Sequence, residues 1–126
     1  MIDKPYHYYA TVTKVVDGDT IDARVEYGFH GTLELRFRIY SDDPDTYFDT
    51  PETRRYRGVN EEQVKHGLEA KNRAIELLLN KKVILKTYKE GSFRWLAEVF
   101  YEDSLGEWKN YAETMISEGY QKRLEY

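Results

Sequence analysis

Two short acidic stretches contain the residues whose type and spacing could support hydrolytic chemistry. Asp19 stands in the turn sequence DGDT, and Asp49 and Glu52 flank Pro51 in the sequence DTPE. Hard cations such as Ca²⁺ prefer carboxylate and carbonyl oxygens, with water completing the coordination shell. Two aspartates brought to one spot by separate loops would form such a site, and a glutamate three residues further on could reach the water of the ion. From the spacing alone, plain turn residues and a solvated acidic loop remain the more common explanation.

Two arginines could complete a site for phosphoryl chemistry. Arg38 falls on the polar face of the third predicted strand, and Arg94 falls at the start of the fifth. A guanidinium presents a planar fork that matches two phosphate oxygens. A pair of them facing a cation would therefore suit a phosphorane-like transition state. Taken singly, each arginine also fits an ordinary surface residue.

Other catalytic sets are absent or weak in this sequence. The chain has no cysteine, which excludes disulfides, thiolate metal sites and cysteine nucleophiles. The three histidines, His7, His30 and His66, do not have the spacing of zinc ligands. The sequence also lacks a P-loop, a dinucleotide-binding fingerprint and a G-x-S-x-G elbow. A histidine-metal nuclease is therefore not expected.

Length and charge limit the protein further. The 126 residues predict one domain, residues 1–126, and a net charge of −4 argues against tight nucleic-acid binding by phosphate neutralisation. The negative net charge argues less strongly against an enzyme, because a bound cation can supply positive charge at the active site. No apolar run is long enough for a membrane span, and no secretory signal is seen at the start. We expect a cytoplasmic or a phage- or prophage-encoded protein, or a secreted one if a leader was removed.

Hydrophobic periodicity predicts five strands and two helices. Residues alternate between apolar and polar in the predicted strands, and apolar residues recur at helical spacing in the predicted helices. The predicted order is strands at 8–16, 21–27 and 33–39, a helix at 61–80, strands at 83–88 and 94–101, and a helix at 110–118. This β-β-β-α-β-β-α order predicts a mainly β, α+β protein with the five-stranded barrel of an OB-fold.

Local features of these elements can also be predicted. The sequence Asp17-Gly18 is expected to supply the positive φ of a tight hairpin turn, and Gly119 is expected to end the second helix. The inward residues expected for the first helix are Val64, Leu68, Ile75, Leu78 and Leu79, and those expected for the second are Tyr111, Met115 and Ile116.

The chain resembles the staphylococcal nuclease (thermonuclease) family. The resemblance is carried by the stretches VVDGDTIDARV, RFRIY, DTPETRR and RWLAEVFY and by the helix that follows, in this order. It extends from about Tyr9 to Gly119. It implies an OB-fold Ca²⁺-dependent phosphodiesterase that cleaves DNA and RNA, prefers single-stranded or denatured substrate, and leaves 3′-phosphate and 5′-hydroxyl ends. We expect a monomer.

The same resemblance implies a role for each residue of the motifs. It makes Asp19 and Asp49 the metal carboxylates, Thr50 a metal ligand through its carbonyl, Glu52 the general base or the group that orients the attacking water, and Arg38 and Arg94 the phosphate-binding arginines. Arg94 would also help the 5′ oxygen to leave.

The sequence departs from the family pattern around the acidic motif. The phrase Asp43-Pro44-Asp45 is a near copy of DTPE that lacks the threonine, so residues 42–47 are interpreted as an insertion and Asp49–Glu52 as the working copy. The insertion fits an acidic solvated loop. Alternatively, Asp43 or Asp45 contributes to the ion site.

A second departure concerns substrate binding. Ser92 and Phe93 replace the lysine and tyrosine that the family usually has before the second arginine. Phe93 could stack on a base but cannot donate a hydrogen bond, which predicts weaker or differently selective binding. Tyr120 and Tyr126 are further candidates for stacking on a base.

Three functions are compatible with these features. The favoured one is an active nuclease with little sequence specificity, because all five catalytic and carboxylate side chains of the family are present. The second is a catalytically silent OB module that binds nucleic acid or a protein partner. The third is an inhibitor or accessory subunit that uses its acidic loop to mimic nucleic acid.

Overall fold

The protein folds as a five-stranded barrel with two helices. The computed structural model describes residues 6–41, 48–54, 58–89, 95–124 and 126. The elements are β1 (Tyr6–Asp17), β2 (Thr20–Gly28), β3 (Gly31–Ile39), α1 (Glu61–Leu78), β4 (Lys82–Lys89), β5 (Trp95–Glu102), β6 (Trp108–Asn110) and α2 (Tyr111–Ser117). The strands pair in the order β3-β2-β1-β4-β5-β6, and a parallel pairing between β3 and β5 closes β1 to β5 into a barrel. The predicted α+β fold with an OB-type barrel is confirmed, and β6 is a short strand that the sequence did not predict.

The barrel core is formed by the inward residues of all five strands. Val12, Ile21, Phe37, Leu85 and Val99 are buried at its centre. Burying apolar side chains of this size stabilises the folded state by roughly 1.5–3 kcal/mol each, before the entropy of ordering the chain is subtracted. This core supplies a rigid frame for the loops at its ends.

The β2–β3 hairpin extends beyond the barrel. Strand β1 pairs with β2 only as far as Val25, and β5 pairs with β3 only from Phe37 onwards. Tyr27 and Leu33, which follow the apolar alternation, are consequently more than half exposed near the hairpin tip. At the hairpin tip, the apolar alternation of these two strands therefore does not correspond to burial. Phe29 and His30 form the turn that joins the two strands.

The DGDT sequence forms the predicted turn between β1 and β2, but the reason for its glycine differs. Gly18 is not among the residues with positive φ, so the predicted left-handed conformation is wrong. A Cβ atom on Gly18 would instead lie 2.7 Å from Cγ2 of Thr50, which is too close. The glycine therefore allows the loop that carries Thr50 to pack directly on the turn that carries Asp19.

Helix α1 begins after Asn60, whose side chain accepts a hydrogen bond from the Gln63 N–H at 2.8 Å. Its buried residues are Gln63, Gly67, Ala70, Ala74 and Leu78, and the three in the middle of this face are small. Of the predicted inward residues, Leu78 is buried, Val64, Ile75 and Leu79 are half-buried, and Leu68 is exposed. The prediction for Leu68 is wrong because the small-residue face, and not the face with the largest apolar residues, packs on the rest of the protein.

Helix α2 packs Tyr111 and Met115 into the core, as predicted, with Ile116 half-buried beside them. Gly119, directly after the C-cap residue Glu118, has a φ of 88°, and the N–H of Tyr120 donates to the carbonyl of Met115 at 3.0 Å. This is the Schellman arrangement expected of a helix that ends in glycine. Within the described ranges, no helix combines the length and apolar character needed to cross a membrane.

Candidate metal-binding and catalytic cleft

A polar cleft of about 460 Å³ lies where the β1–β2 turn, strand β3 and residues 48–54 meet. Five of the predicted site residues line it, namely Asp19, Arg38, Asp49, Thr50 and Glu52. The other described lining residues are Val16, Asp17, Thr20, Arg36 and Pro51. The fold therefore brings together predicted residues from three segments that are far apart in the sequence.

The Asp19 carboxylate is buried and surrounded by donors. Its Oδ1 accepts a hydrogen bond from the Thr20 hydroxyl at 2.9 Å, and its Oδ2 accepts one from the Thr50 N–H at 3.0 Å. The same Oδ2 lies 3.1 Å from Nη1 of Arg38. Burying a carboxylate costs free energy unless it is paired and hydrogen-bonded. These contacts offset that cost and fix the orientation of the carboxylate.

Arg38 joins the two aspartates. While Nη1 contacts Asp19, Nη2 lies 3.0 Å from Oδ1 of Asp49 and also donates to the Phe48 carbonyl at 3.2 Å. Burial raises the pKa of the Asp49 carboxyl above its usual value; the neighbouring Asp19 carboxyl adds to this shift, and Arg38 opposes it. The two carboxylates thus lie close enough to influence one another, and the Arg38 guanidinium contacts both of them.

Glu52 lies at the half-exposed rim of the cleft. Its Oε1 is 3.6 Å from Nζ of Lys122. Its backbone packs so closely on helix α1 that a Cβ atom on Gly67 would lie 2.1 Å from the Glu52 carbonyl oxygen. Next to it, the Thr53 hydroxyl donates to Oδ1 of Asp17 at 2.7 Å. The position of Glu52 therefore depends on α1 and on the β1–β2 turn together.

Helix α2 and the segment after it hold both acidic loops in place. The buried Tyr111 hydroxyl donates to the Gly18 carbonyl at 2.5 Å, and the Tyr111 ring lies edge-to-face with Phe48 at 6.0 Å. The Lys122 N–H donates to the Asp49 carbonyl at 2.7 Å, and the Asp49 N–H donates to Oε1 of Gln121 at 3.1 Å. Both loops are thus anchored to the same C-terminal part of the chain.

The oxygen atoms of the cleft fit a hard divalent cation. Asp19 and Asp49 offer carboxylates, and Oγ1 of Thr50 is buried without a hydrogen-bond partner in the part of the chain that the structure describes. Among those residues, no cluster of three or more His, Asp or Glu side chains has metal-site geometry. A cation in this cleft would therefore need water, backbone or substrate oxygens to complete its shell.

The remaining predicted residues lie elsewhere or outside the described ranges. Tyr120 is half-buried against the core, and the Tyr126 hydroxyl hydrogen-bonds His66 on α1. The ring centroids of Tyr120 and Tyr126 lie 6.2 Å and 5.5 Å from that of His66, and neither tyrosine is among the described lining of the cleft. Phe93, Arg94 and the insertion at 42–47 lie outside the described residues.

The sequence did not predict which residues outside the cleft hold its two acidic loops in place. Tyr111 was expected to be in the core, but nothing in its spacing linked it to Gly18. Gln121 and Lys122 follow the last helix without any recognisable motif. Gly67 lies inside a helix, where a glycine lowers stability relative to alanine. An unexpected helix glycine was the one available signal of close packing at this position.

Comparison with known proteins identifies the family of the chain that forms this cleft. The model of the family described as "Staphylococcal nuclease homologue" matches residues 46–126, which is more than half of the chain. The match includes the DTPE sequence and both helices. It begins after Asp19 and Arg38, which the structure brings to the same cleft. None of the curated proteins compared with the chain matches it.

Proposed function

Because the chain belongs to the staphylococcal nuclease homologue family, we propose that it is a Ca²⁺-dependent phosphodiesterase that hydrolyses DNA or RNA with little sequence specificity. Its substrate would be single-stranded or denatured nucleic acid, and its products would carry 3′-phosphate and 5′-hydroxyl ends. The observation that carries the proposal is the meeting of Asp19, Asp49 and Arg38 within contact distance in one polar cleft. Glu52 lies in the lining of the same cleft.

The cleft has residues for both a cation and a phosphate. The Asp19 and Asp49 carboxylates and the Thr50 carbonyl would hold Ca²⁺, which when bound supplies positive charge that offsets the growing negative charge of the transition state. Arg38 would bind phosphate oxygens, because a guanidinium fork matches them in geometry and charge. In the free protein the same guanidinium pairs with both aspartates, which keeps their side chains together before substrate arrives. Arg94 remains a predicted second phosphate-binding residue.

Glu52 would act on the attacking water. Its carboxylate takes a proton as the water oxygen forms a bond to phosphorus. The bond between phosphorus and the 5′ oxygen breaks, and that oxygen leaves as a 5′-hydroxyl after gaining a proton. The phosphate stays on the 3′ oxygen. Arg38 would stabilise the five-coordinate state, in which the phosphoryl oxygens carry the most negative charge.

The proposal is tested by Glu52→Gln, which keeps the shape of the side chain but removes its basicity. We expect kcat to fall by roughly 10²–10⁴-fold, the usual contribution of a general base. The matched control is Glu69→Gln on the exposed face of α1, which should cleave denatured DNA like the unchanged protein. Equal activity of Glu52→Gln and the control would overturn the assignment of Glu52.

The same assay separates the enzyme from a silent module. Retention of single-stranded DNA by the folded protein in excess chelator, together with no cleavage in Ca²⁺, would indicate a binding module instead. The net charge of −4 favours the enzyme in this comparison, because metal-free binding relies on positive side chains that neutralise phosphates.

A further inference from the structure

Gln121 and Lys122, a few residues after α2, contact both ends of the acidic DTPE sequence. The backbone N–H of Lys122 donates to the Asp49 carbonyl at 2.7 Å, and Gln121 accepts from the Asp49 N–H at 3.1 Å. The Lys122 side chain then reaches Glu52, with 3.6 Å between Nζ and Oε1. One residue is thus fixed to Asp49 by its backbone and to Glu52 by its side chain.

This ion pair is too exposed to serve mainly as a source of stability. The side chains of Lys122 and Glu52 are both 34% exposed. Pairs of this kind contribute roughly 0–1 kcal/mol to folding, because water and salt screen the attraction. The backbone hydrogen bonds to Asp49 are independent of the ammonium group. The contact between Lys122 and Glu52 therefore affects mainly the orientation of the Glu52 side chain.

We propose that Lys122 is a positioning residue for Glu52. This inference rests on the proposed function, since it assigns a partner to the group that takes the proton from water. The ammonium holds Oε1 on the side of the C-terminal segment, which leaves the other carboxylate oxygen free to face the attacking water. Without this contact the Glu52 side chain would sample several rotamers at the half-exposed rim of the cleft.

Loss of the contact between Lys122 and Glu52 should lower the rate of the chemical step. Catalysis requires the base within hydrogen-bond distance of the water, and displacement by about 1 Å can lower a rate by up to roughly 10²-fold. Lys122 does not touch the phosphate in this account. Substrate affinity should therefore be almost independent of its side chain, apart from the loss of one positive charge from the surface.

The test compares three variants of the full chain on denatured DNA with Ca²⁺. Lys122→Met removes the ammonium but keeps most of the side-chain length, and Lys122→Arg restores a cation. Lys109→Met is the matched control, because Lys109 also pairs with a carboxylate, that of Asp103 at 3.1 Å, and neither residue is among the described lining of the cleft. It therefore reproduces the loss of one positive charge alone.

We expect Lys122→Met to lower kcat by about tenfold with KM changed less than about twofold, and Lys122→Arg to recover most of the loss. Lys109→Met should retain the kcat of the unchanged protein. Amide hydrogen exchange in the metal-free protein should show Asp49 and Thr50 equally protected in Lys122→Met. That result would separate positioning of a side chain from loosening of the loop.

Three results would overturn the inference while the proposed function stands. The first is a kcat for Lys122→Met equal to that of the control. The second is a rise in KM with kcat unchanged, which would make Lys122 a phosphate contact. The third is lost protection of the Asp49 and Thr50 amides, which would make Lys122 a structural residue of the loop. An unchanged protein that does not cleave at all would instead overturn the proposed function and this inference with it.

Discussion

At the scale of single residues, the cleft depends on side chains that each join two loops. Arg38 joins Asp19 to Asp49 through different terminal nitrogens, which a lysine with its single ammonium could not reproduce in the same geometry. Tyr111 has a comparable function behind the cleft, because its hydroxyl bonds the Gly18 carbonyl and its ring packs on Phe48. Such residues hold two carboxylates near one another despite their mutual repulsion.

Tyr111→Phe should destabilise the protein although it removes only one oxygen atom. The buried Gly18 carbonyl would lose its donor, and leaving a buried acceptor unsatisfied costs roughly 1–3 kcal/mol. Urea denaturation of the metal-free variant measures this loss. Tyr27→Phe, at a position that is more than half exposed, is the control and should be almost neutral. A midpoint for Tyr111→Phe as high as that of the control would contradict the assigned contact.

At the scale of elements, helix α1 positions the acidic loop through a face of small residues. The closest approach is at Gly67, where an added Cβ would lie 2.1 Å from the Glu52 carbonyl oxygen and 2.7 Å from the Pro51 carbonyl oxygen. Backbone atoms cannot move aside as the end of a flexible side chain can. The helix and the loop therefore fit together only with glycine at this position.

Gly67→Ala should lower both stability and activity, although alanine is the better helix former. Forcing the two backbones apart costs roughly 1–3 kcal/mol and displaces Glu52 from the cleft. Thermal unfolding and the initial rate of DNA cleavage measure the two effects. Gly106→Ala is the control, since an added Cβ there meets nothing within 4 Å and strain arises only from its φ of 81°. It should lower stability without lowering kcat, and the same pattern for Gly67→Ala would contradict the account.

The two helices are also joined by an ion pair whose strength depends on pH. Arg73 on α1 donates two hydrogen bonds to Glu118 at the end of α2, at 2.7 and 2.9 Å. The bond from Arg73 lowers the pKa of the Glu118 carboxyl below its usual 4.5. The unfolded chain therefore binds more protons than the folded protein between the folded and unfolded pKa values, so stability decreases as pH falls through this range.

Glu118→Gln should thus cost up to about 1 kcal/mol at pH 7, the upper value for partly exposed ion pairs. The difference from the unchanged protein should shrink below pH 4.5 and disappear once the folded carboxyl is protonated. Urea titrations at several pH values measure it, with exposed Glu107→Gln as the control. A difference that is constant from pH 7 to pH 3 would show that Glu118 acts through packing and not through charge.

The sequence predicted elements better than it predicted their mutual packing. Alternation and turn residues were sufficient for five strands, because each strand has one face toward a common core. The motif residues Asp19, Arg38, Asp49 and Glu52 were predicted as one site through resemblance, since their spacing alone did not require it. Contacts such as those of Lys122 and Gly67 could not be predicted, because they join segments that only the complete fold brings together.

At the scale of the whole molecule, the net charge and the acidic insertion at residues 42–47 bear on the affinity of the ion site for Ca²⁺. The chain carries a net charge of −4, and the insertion adds three aspartates directly before the working DTPE copy. These residues lie outside the described ranges. In the sequence-based interpretation they form a solvated loop that is not part of the site, so their charge should affect Ca²⁺ only through weak, screened attraction.

Replacing Asp42, Asp43 and Asp45 together with asparagine should therefore leave the Ca²⁺ affinity nearly unchanged. Ligand binding raises the unfolding free energy by RT ln(1 + [L]/Kd), so the Ca²⁺-dependent increase in Tm reports the affinity. Asp49→Asn is the positive control and should abolish most of that increase. A comparable loss in the triple variant would mean that the insertion supplies ligands to the ion.

Digestion of denatured DNA shows whether the cleft hydrolyses nucleic acid with the help of Ca²⁺. The protein is incubated at mildly alkaline pH with Ca²⁺ in millimolar excess or with excess chelator, and the ends of the products are identified. We predict cleavage in Ca²⁺ that leaves 3′-phosphates and 5′-hydroxyls, and no cleavage in chelator. Folded protein that leaves the DNA intact in Ca²⁺, or that cleaves it equally well in chelator, would contradict the proposed function.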